Sequence, residues 1–308
     1  MNLTPDPTLD HSPRMTPTER RASGTLASIF ALRMLGLFLV LPVFVLEARK
    51  YPGGDDPALV GMAMGIYGLT QGLLQIPFGA ASDRLGRKRV IVFGLLVFAL
   101  GSLVAGSADT LTGLLAGRAL QGAGAVSAAV TALLADLTRD NVRTKAMALV
   151  GASIGLMFAV SLVLSPLLAA QMGLSGLFVL TAVLAVLGIA VVVWLVPQEP
   201  ELHKDAARGG LRHVLSSPAL LRLNIGVFVL HAVQLAMWVA IPAFLVQAGL
   251  GKDDHWQIYL PAVLGSFVVM GGVFPLERRG YLRAVFLAAI ALIAVVQVVL
   301  LWVSSGAP

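Results

Sequence analysis

The sequence predicts an all-α membrane protein, and three observations carry the prediction. Hydrophobic residues make up 57% of the chain and charged residues 12%, against roughly 45–50% and 25% in soluble domains. Mean hydropathy is +0.87. Apolar runs near the roughly 20 residues that cross a hydrocarbon core recur from end to end, which excludes a small domain on one anchor. A transmembrane barrel would need alternating segments of about 10 residues, and that pattern is absent.

Residues 1–15 are polar and contain three prolines, and 1–26 reads as a cytoplasmic N-terminal segment. Thr16, Pro17 and Glu19 provide an N-cap, a first-turn proline and a capping box, so a short helix is expected to lead into the first span. Spans follow at about 27–46, 59–80, 89–106, 111–135, 146–170, 174–196, 224–248, 257–275 and 284–303. The stretch LEARKYPGG after the first span lacks a small-x-small cleavage site, so that span is expected to be retained. The first six form a bundle over 27–196. A polar stretch at 197–223, in which Ser217 and Pro218 can start a new helix, is a cytoplasmic linker, and 224–308 is a partial second bundle.

Charge sets the orientation. With the N-terminus cytoplasmic, 17 of the 22 Lys and Arg fall in inside segments, while outside loops hold only Arg49, Lys50 and Lys252. The net charge of +6 therefore reflects topology and not a nucleic-acid surface. Cysteine is absent and the five His are scattered, which leaves no metal cluster. No Gly-rich loop precedes a Lys-Ser/Thr pair, and no nucleophile triad is suggested, so no enzyme chemistry is indicated.

The two halves repeat in parallel. LPVFVLEA at 41–48 matches IPAFLVQA at 241–248, pairing Pro42 with Pro242. DRLGRKRV at 83–90 resembles ERRGYLRAV at 277–285, pairing Asp83 with Glu277 and Gly86 with Gly280. Two six-helix repeats are implied, and the second would be incomplete, so the chain is expected to be a fragment of a longer parent.

The densest charge in this apolar chain is GAASDRLGRKRV at 79–90. Gly86 permits a tight turn between two spans. The basic residues either anchor the interface or, with Asp83, form a lock that one state of a rocking motion closes, for which ADLTRDNVRTKAM supplies Asp136, Arg139 and Arg143. Within spans, Arg118 sits among Gly117, Gly122 and Gly124, whose low helix propensity suits close helix contact. An embedded guanidinium costs about 2.5–3.5 kcal/mol unless it faces a cavity or a partner. Arg33 either snorkels to the interface or lines a cavity. His231 either carries a proton or packs. Gln71, Gln75 and Gln234 either bind substrate or bond neighbouring helices.

GAASDRLGRKR resembles motif A of the major facilitator superfamily, and the mid-span RALQGAGA at 118–125 resembles its motif B. LRMLGLFLVLPVF, GIYGLTQGLLQIPFG and DLTRDNVRTKAMA are particularly similar to the YajR-like branch of bacterial drug:proton antiporters, and the likeness covers residues 15–303. The resemblance implies the major facilitator fold, with a complete first bundle and three helices of the second, in the bacterial inner membrane. It implies alternating access about a central cavity, with gating carried by Gly79, Asp83, Arg84, Gly86, Arg87, Lys88 and Asp136. Arg118, Gln121 and Gly122 inherit the motif B role in proton coupling. It further implies proton-coupled efflux of small amphipathic compounds by a monomer, with the proton gradient as energy source and no cofactor.

Two departures stand out. In span 5, where antiporters carry a glycine pattern around Gly-Pro, this chain has Ser161, Ser165-Pro166 and Ala169. None of its 16 Asp and Glu lies mid-span, Glu47 and Asp136 being at span ends. The alternatives are an importer of an organic anion, sugar or osmolyte, with Arg33 and Arg118 taking the anionic group, and a scaffold or non-transporting fragment.

Overall fold

A computed structural model describes residues 14–199, 216–251 and 254–304. Among these residues all regular structure is helical, and the chain divides into two compact units, Met1–Trp256 and Gln257–Pro308.

Helix α1 (Pro17–Ala48) opens on the expected capping box: Glu19 N donates to Thr16 Oγ1 at 3.2 Å and Thr16 N to Glu19 Oε2 at 2.8 Å. It then runs unbroken for 32 residues, so the short leading helix expected ahead of the span continues straight into it. Nothing between Pro17 and the apolar run breaks the helix. Helix α2 (Pro57–Leu85) is capped by Asp56, whose carboxylate accepts from Ala58 N at 2.9 Å. Gly86 alone separates it from α3 (Arg87–Gly106), and its φ of 100° is open to glycine at no steric cost.

The fourth span, expected as one helix, is two: α4 (Leu111–Ala123) and α5 (Ser127–Asp136). The break follows from packing. A Cβ on Gly124 would collide with the Gly94 carbonyl and Phe98, and one on Gly101 would enter the Gln121 backbone, so α3 and α4 lie in close contact. Helix α6 (Asp140–Ala190) joins the fifth and sixth expected spans through Gly173, whose φ of 65° and ψ of −174° turn the chain between two arms, and ends in a π-helical turn at Val191–Leu195.

Two larger apolar clusters hold this unit, with a smaller third of Tyr67, Phe98, Ala99, Ala182 and Ala185. One near the cytoplasmic side gathers Leu26, Ile29, Ile91, Leu95, Leu133 and Val192; the other, toward the outer side, gathers Leu39, Phe44, Met64, Leu114, Leu177 and Phe178. Helix α7 (Pro218–Gln247) starts at the Ser217-Pro218 signal and packs Leu235, Trp238 and Val239 on the second cluster. The helix expected to open the second bundle therefore stands with the first compact unit. Linker residues 200–215 lie outside the described residues.

The second unit holds α8 (Trp256–Arg278) and α9 (Leu282–Ser304), turned at Gly280 with φ 84°. The glycines paired by the internal repeat, Gly86 and Gly280, both adopt positive φ, and the paired prolines, Pro42 and Pro242, both lie inside helices. Seven helices among the described residues are long and apolar enough to cross a bilayer, one of them the two-armed Asp140–Leu195 stretch, and Trp256–Val269 is a shorter apolar helix. The protein is a multi-pass membrane protein.

Candidate functional site

A cavity of about 950 Å³ opens between α1, α2, the first arm of α6 and α7. Aromatic side chains build its wall: Phe158 meets Phe38 edge-on at 5.0 Å and Trp238 at 5.7 Å, tying three helices together. Gly65, Gly68 and Gly72 on α2 and Gly155 on α6 keep it open, and Gln71, Gln75, His231 and Gln234 supply its polar groups along with Tyr67. The four polar residues expected to line a cavity thus converge on one. Gln75 Oε1 is buried without a hydrogen-bond partner. His231 Nδ1 lies 2.9 Å from the Val227 carbonyl oxygen, one turn back on α7.

Arg33, the fifth candidate cavity residue, does not line it. It is 2% exposed, and snorkelling to the interface is equally excluded by that burial. Its Nη1 donates to Ser127 Oγ at 2.9 Å and its Nη2 to Tyr67 Oη at 3.0 Å, with the guanidinium 5.3 Å from the Phe98 ring centroid. The break before α5 puts Ser127 at that helix's first position. Arg118 is 1% exposed. Its Nη1 donates to Gln121 Oε1 at 2.7 Å, Gln121 Nε2 donates to Ser102 Oγ at 2.8 Å, and the guanidinium lies 4.7 Å from the Tyr67 ring and 5.7 Å from Phe44.

Two buried cations therefore sit behind the cavity wall, and their described partners are hydroxyls, an amide, a carbonyl and aromatic faces. A hydrogen bond to a charged group contributes about 1.5–3 kcal/mol and a desolvated cation–π contact about 2 kcal/mol. Together these offset the cost of embedding each arginine. Among the described residues Tyr67 is the one that touches both arginines and also lines the cavity. Sequence reasoning missed Tyr67, Ser102 and Ser127, which are unremarkable types in apolar helices.

The motif A side chains join the α2–α3 turn to α5 and to the segment after the π-helical turn. Arg87 Nε donates to Asp136 Oδ2 at 3.0 Å and its Nη1 to Ser82 Oγ at 2.7 Å and to Asp83. Lys88 Nζ donates to the Val196 carbonyl at 2.7 Å, and Lys88 N to Glu199 Oε2 at 3.2 Å, which caps the start of α3. A Cβ on Gly86 would meet the Glu199 carboxylate. Gly79 accepts from Ser82 Oγ through its carbonyl, and Arg84 is exposed.

Of the expected relay partners, only Asp136 joins Arg87. Arg143 pairs with Asp140 and donates to the Ala135 and Thr138 carbonyls, capping the end of α5. Arg139 grips Glu19 at the start of α1, with Nε 2.8 Å from Oε1 and Nη2 3.0 Å from Oε2. Glu19 lies ahead of the first span, and the Arg139 guanidinium holds its carboxyl down from 4.5 to about 2, against burial, with Thr16 assisting.

The Major Facilitator Superfamily profile matches residues 26–308. Inner membrane transport protein YajR of Escherichia coli (strain K12) is 45% identical over 295 residues, covering 93% of this chain and 64% of that protein. The chain thus spans just under two thirds of that relative's length. Tetracycline resistance protein, class B, of Escherichia coli is 32% identical over 130 residues, 42% of this chain and 32% of that protein. Among solved structures, a bacterial homolog to the human lysosomal transporter Spinster, in an inward-facing and unoccupied conformation, superposes with a TM-score of 0.65 over 86% of this chain and 64% of that one, a likeness of fold at 16% identity. The helices, the two motifs and these matches agree: this chain belongs to the Major Facilitator Superfamily, a family of membrane transporters and not enzymes.

Proposed function

We propose that this chain forms the substrate-binding half of a secondary active transporter that exports small amphipathic compounds by alternating access, in exchange for protons. The observation that carries this reading is the make-up of the cavity: Phe38, Phe158, Phe228 and Trp238 dominate it, three glutamines and His231 punctuate it, and among the described residues no charged side chain lines it. Such a wall favours compounds with a large apolar surface and a few hydrogen-bonding groups. An anion importer would present a guanidinium to its substrate, and here both embedded arginines stand behind the wall. Proton coupling rests on His231, a histidine in the cavity lining, and export on the tetracycline resistance protein among the relatives.

The whole protein, reconstituted in liposomes with an acid interior, should accumulate an amphipathic dye such as ethidium, and a protonophore should abolish the uptake. His231→Asn should flatten its dependence on pH. Gradient-independent dye flux, or gradient-driven uptake of small carboxylates in its place, would overturn the reading.

A further inference from the structure

A second, smaller cavity lies on an exposed apolar face of the same unit. It is a groove of about 450 Å³ between the start of α3 and the π-helical turn at Val191–Leu195. Val92, Phe93 and Leu96 form one wall and Val192 and Val193 the other, with Lys88 and Arg89 at the mouth. Arg89 stands where the third span begins, and Leu96 lies seven residues deeper, about 10 Å along the helix. The groove therefore runs from headgroup level into the hydrocarbon layer.

The mouth is built as well as charged. The helix ends here with its last carbonyls free, as any helix does, and two cations take two of them: Arg21 Nε donates to Leu195 O at 3.0 Å and Lys88 Nζ to Val196 O at 2.7 Å. These bonds fix the turn and hold the Lys88 ammonium beside the groove. The acid nearby is Glu199, engaged with Lys88 N. Among the described residues no carboxylate pairs with Arg89. Three cations against one acid favour a ligand with net negative charge, and the inner leaflet supplies lipids of that charge at this depth.

We propose that this groove binds an anionic phospholipid, its phosphate on Arg89 and Lys88 and one acyl chain along Val92, Phe93 and Val193. Trp194, 76% exposed on the same turn, reports on occupancy. The whole protein is reconstituted in phosphatidylcholine vesicles containing a minor fraction of phosphatidylglycerol with brominated chains, and Trp194 emission is taken as the difference from a Trp194→Phe variant. Brominated phosphatidylglycerol should quench several-fold more than brominated phosphatidylcholine at the same fraction. Arg89→Gln, a surface change, should abolish that preference, and Val92→Phe, which fills the groove, should weaken it. Equal quenching by the two lipids, an unchanged preference in Arg89→Gln, or quenching by neither lipid because the chain's own linker covers the groove would each overturn the proposal. Loss of the preference on adding inorganic phosphate would reassign the site to free phosphate and overturn it too.

Discussion

Arg33 and Arg118 are held by different features of one side chain: Arg33 Nη2 donates to the Tyr67 hydroxyl at 3.0 Å, and the Arg118 guanidinium lies 4.7 Å from the Tyr67 ring centroid. The cavity wall and the buried cations are thus one assembly, and its two interactions can be separated. Tyr67→Phe deletes the acceptor and leaves a buried N–H unsatisfied, which costs about 1–3 kcal/mol. Tyr67→Leu also removes the aromatic face, for about 0.5–2 kcal/mol more. Thermal melts in detergent should fall in the order wild type, Phe variant, Leu variant. A Leu variant that melts like wild type would show that neither arginine depends on Tyr67.

The cytoplasmic lock is expected to rest on Asp136 more than on Asp83. Both carboxylates meet Arg87, but Asp83 is its own neighbour across one turn and its side chain is 62% exposed, whereas Asp136 brings in α5 and is 40% exposed. Exposed ion pairs contribute only about 0.2–1 kcal/mol. The chain has no cysteine, so Thr138→Cys, at a buried position two residues from Asp136, gives a clean labelling probe. Maleimide labelling of that cysteine should accelerate more with Asp136→Asn than with Asp83→Asn. The reverse order would return the lock to Asp83.

Most of the helical layout was legible because each span is a long apolar run and the turns fall on Gly86 and Gly173, where positive φ suits glycine alone. The break at 124–126 was not. Gly122 and Gly124 hint at it by their low helix propensity, but the close approach of α3 that accompanies the break is a tertiary fact. The site divides in the same way. Arg118 and Gln121 are one turn apart on a helix and read directly from their spacing. Arg33 finds Tyr67 and Ser127 at separations of 34 and 94 residues, and Arg139 finds Glu19 across 120. A charge in an apolar run announces that it needs partners without saying which. The aromatic wall was illegible for another reason: Phe158 and Trp238 are ordinary residues for a membrane helix, and only the meeting of α1, α6 and α7 gives them a role.

The Glu19–Arg139 clamp makes an acid-side prediction. The carboxyl titrates at about 2 when folded against 4.5 when free. A group whose folded value is depressed contributes stability that is complete above the free value and is lost as pH falls toward the folded one. The clamp should therefore contribute at most about 3 kcal/mol at neutral pH, declining from about pH 4.5 to about pH 2. Glu19→Gln should lower the melting temperature at pH 7 and narrow its gap from wild type as the pH is lowered through that window. A gap that stays constant from pH 7 to pH 3 would mean the carboxylate's charge plays no part.

Gly122 should be the glycine least able to accept a side chain without harm to the site. A Cβ there would run into Thr70 Oγ1 and the Tyr67 carbonyl, backbone and side chain of the helix that carries the cavity wall. Overpacking of this kind costs about 1–3 kcal/mol, and because the strain falls on Tyr67 it should also disturb both arginines. Gly151 provides the control: nothing lies within 4 Å of its Cβ position, and alanine there gains up to about 1 kcal/mol of helix propensity. Gly122→Ala should lower both the melting temperature and dye transport, while Gly151→Ala should leave transport intact and melt at or above wild type. Equal melting of the two variants would show that α2 and α4 can separate at Gly122, and the close contact assigned to that glycine would be wrong.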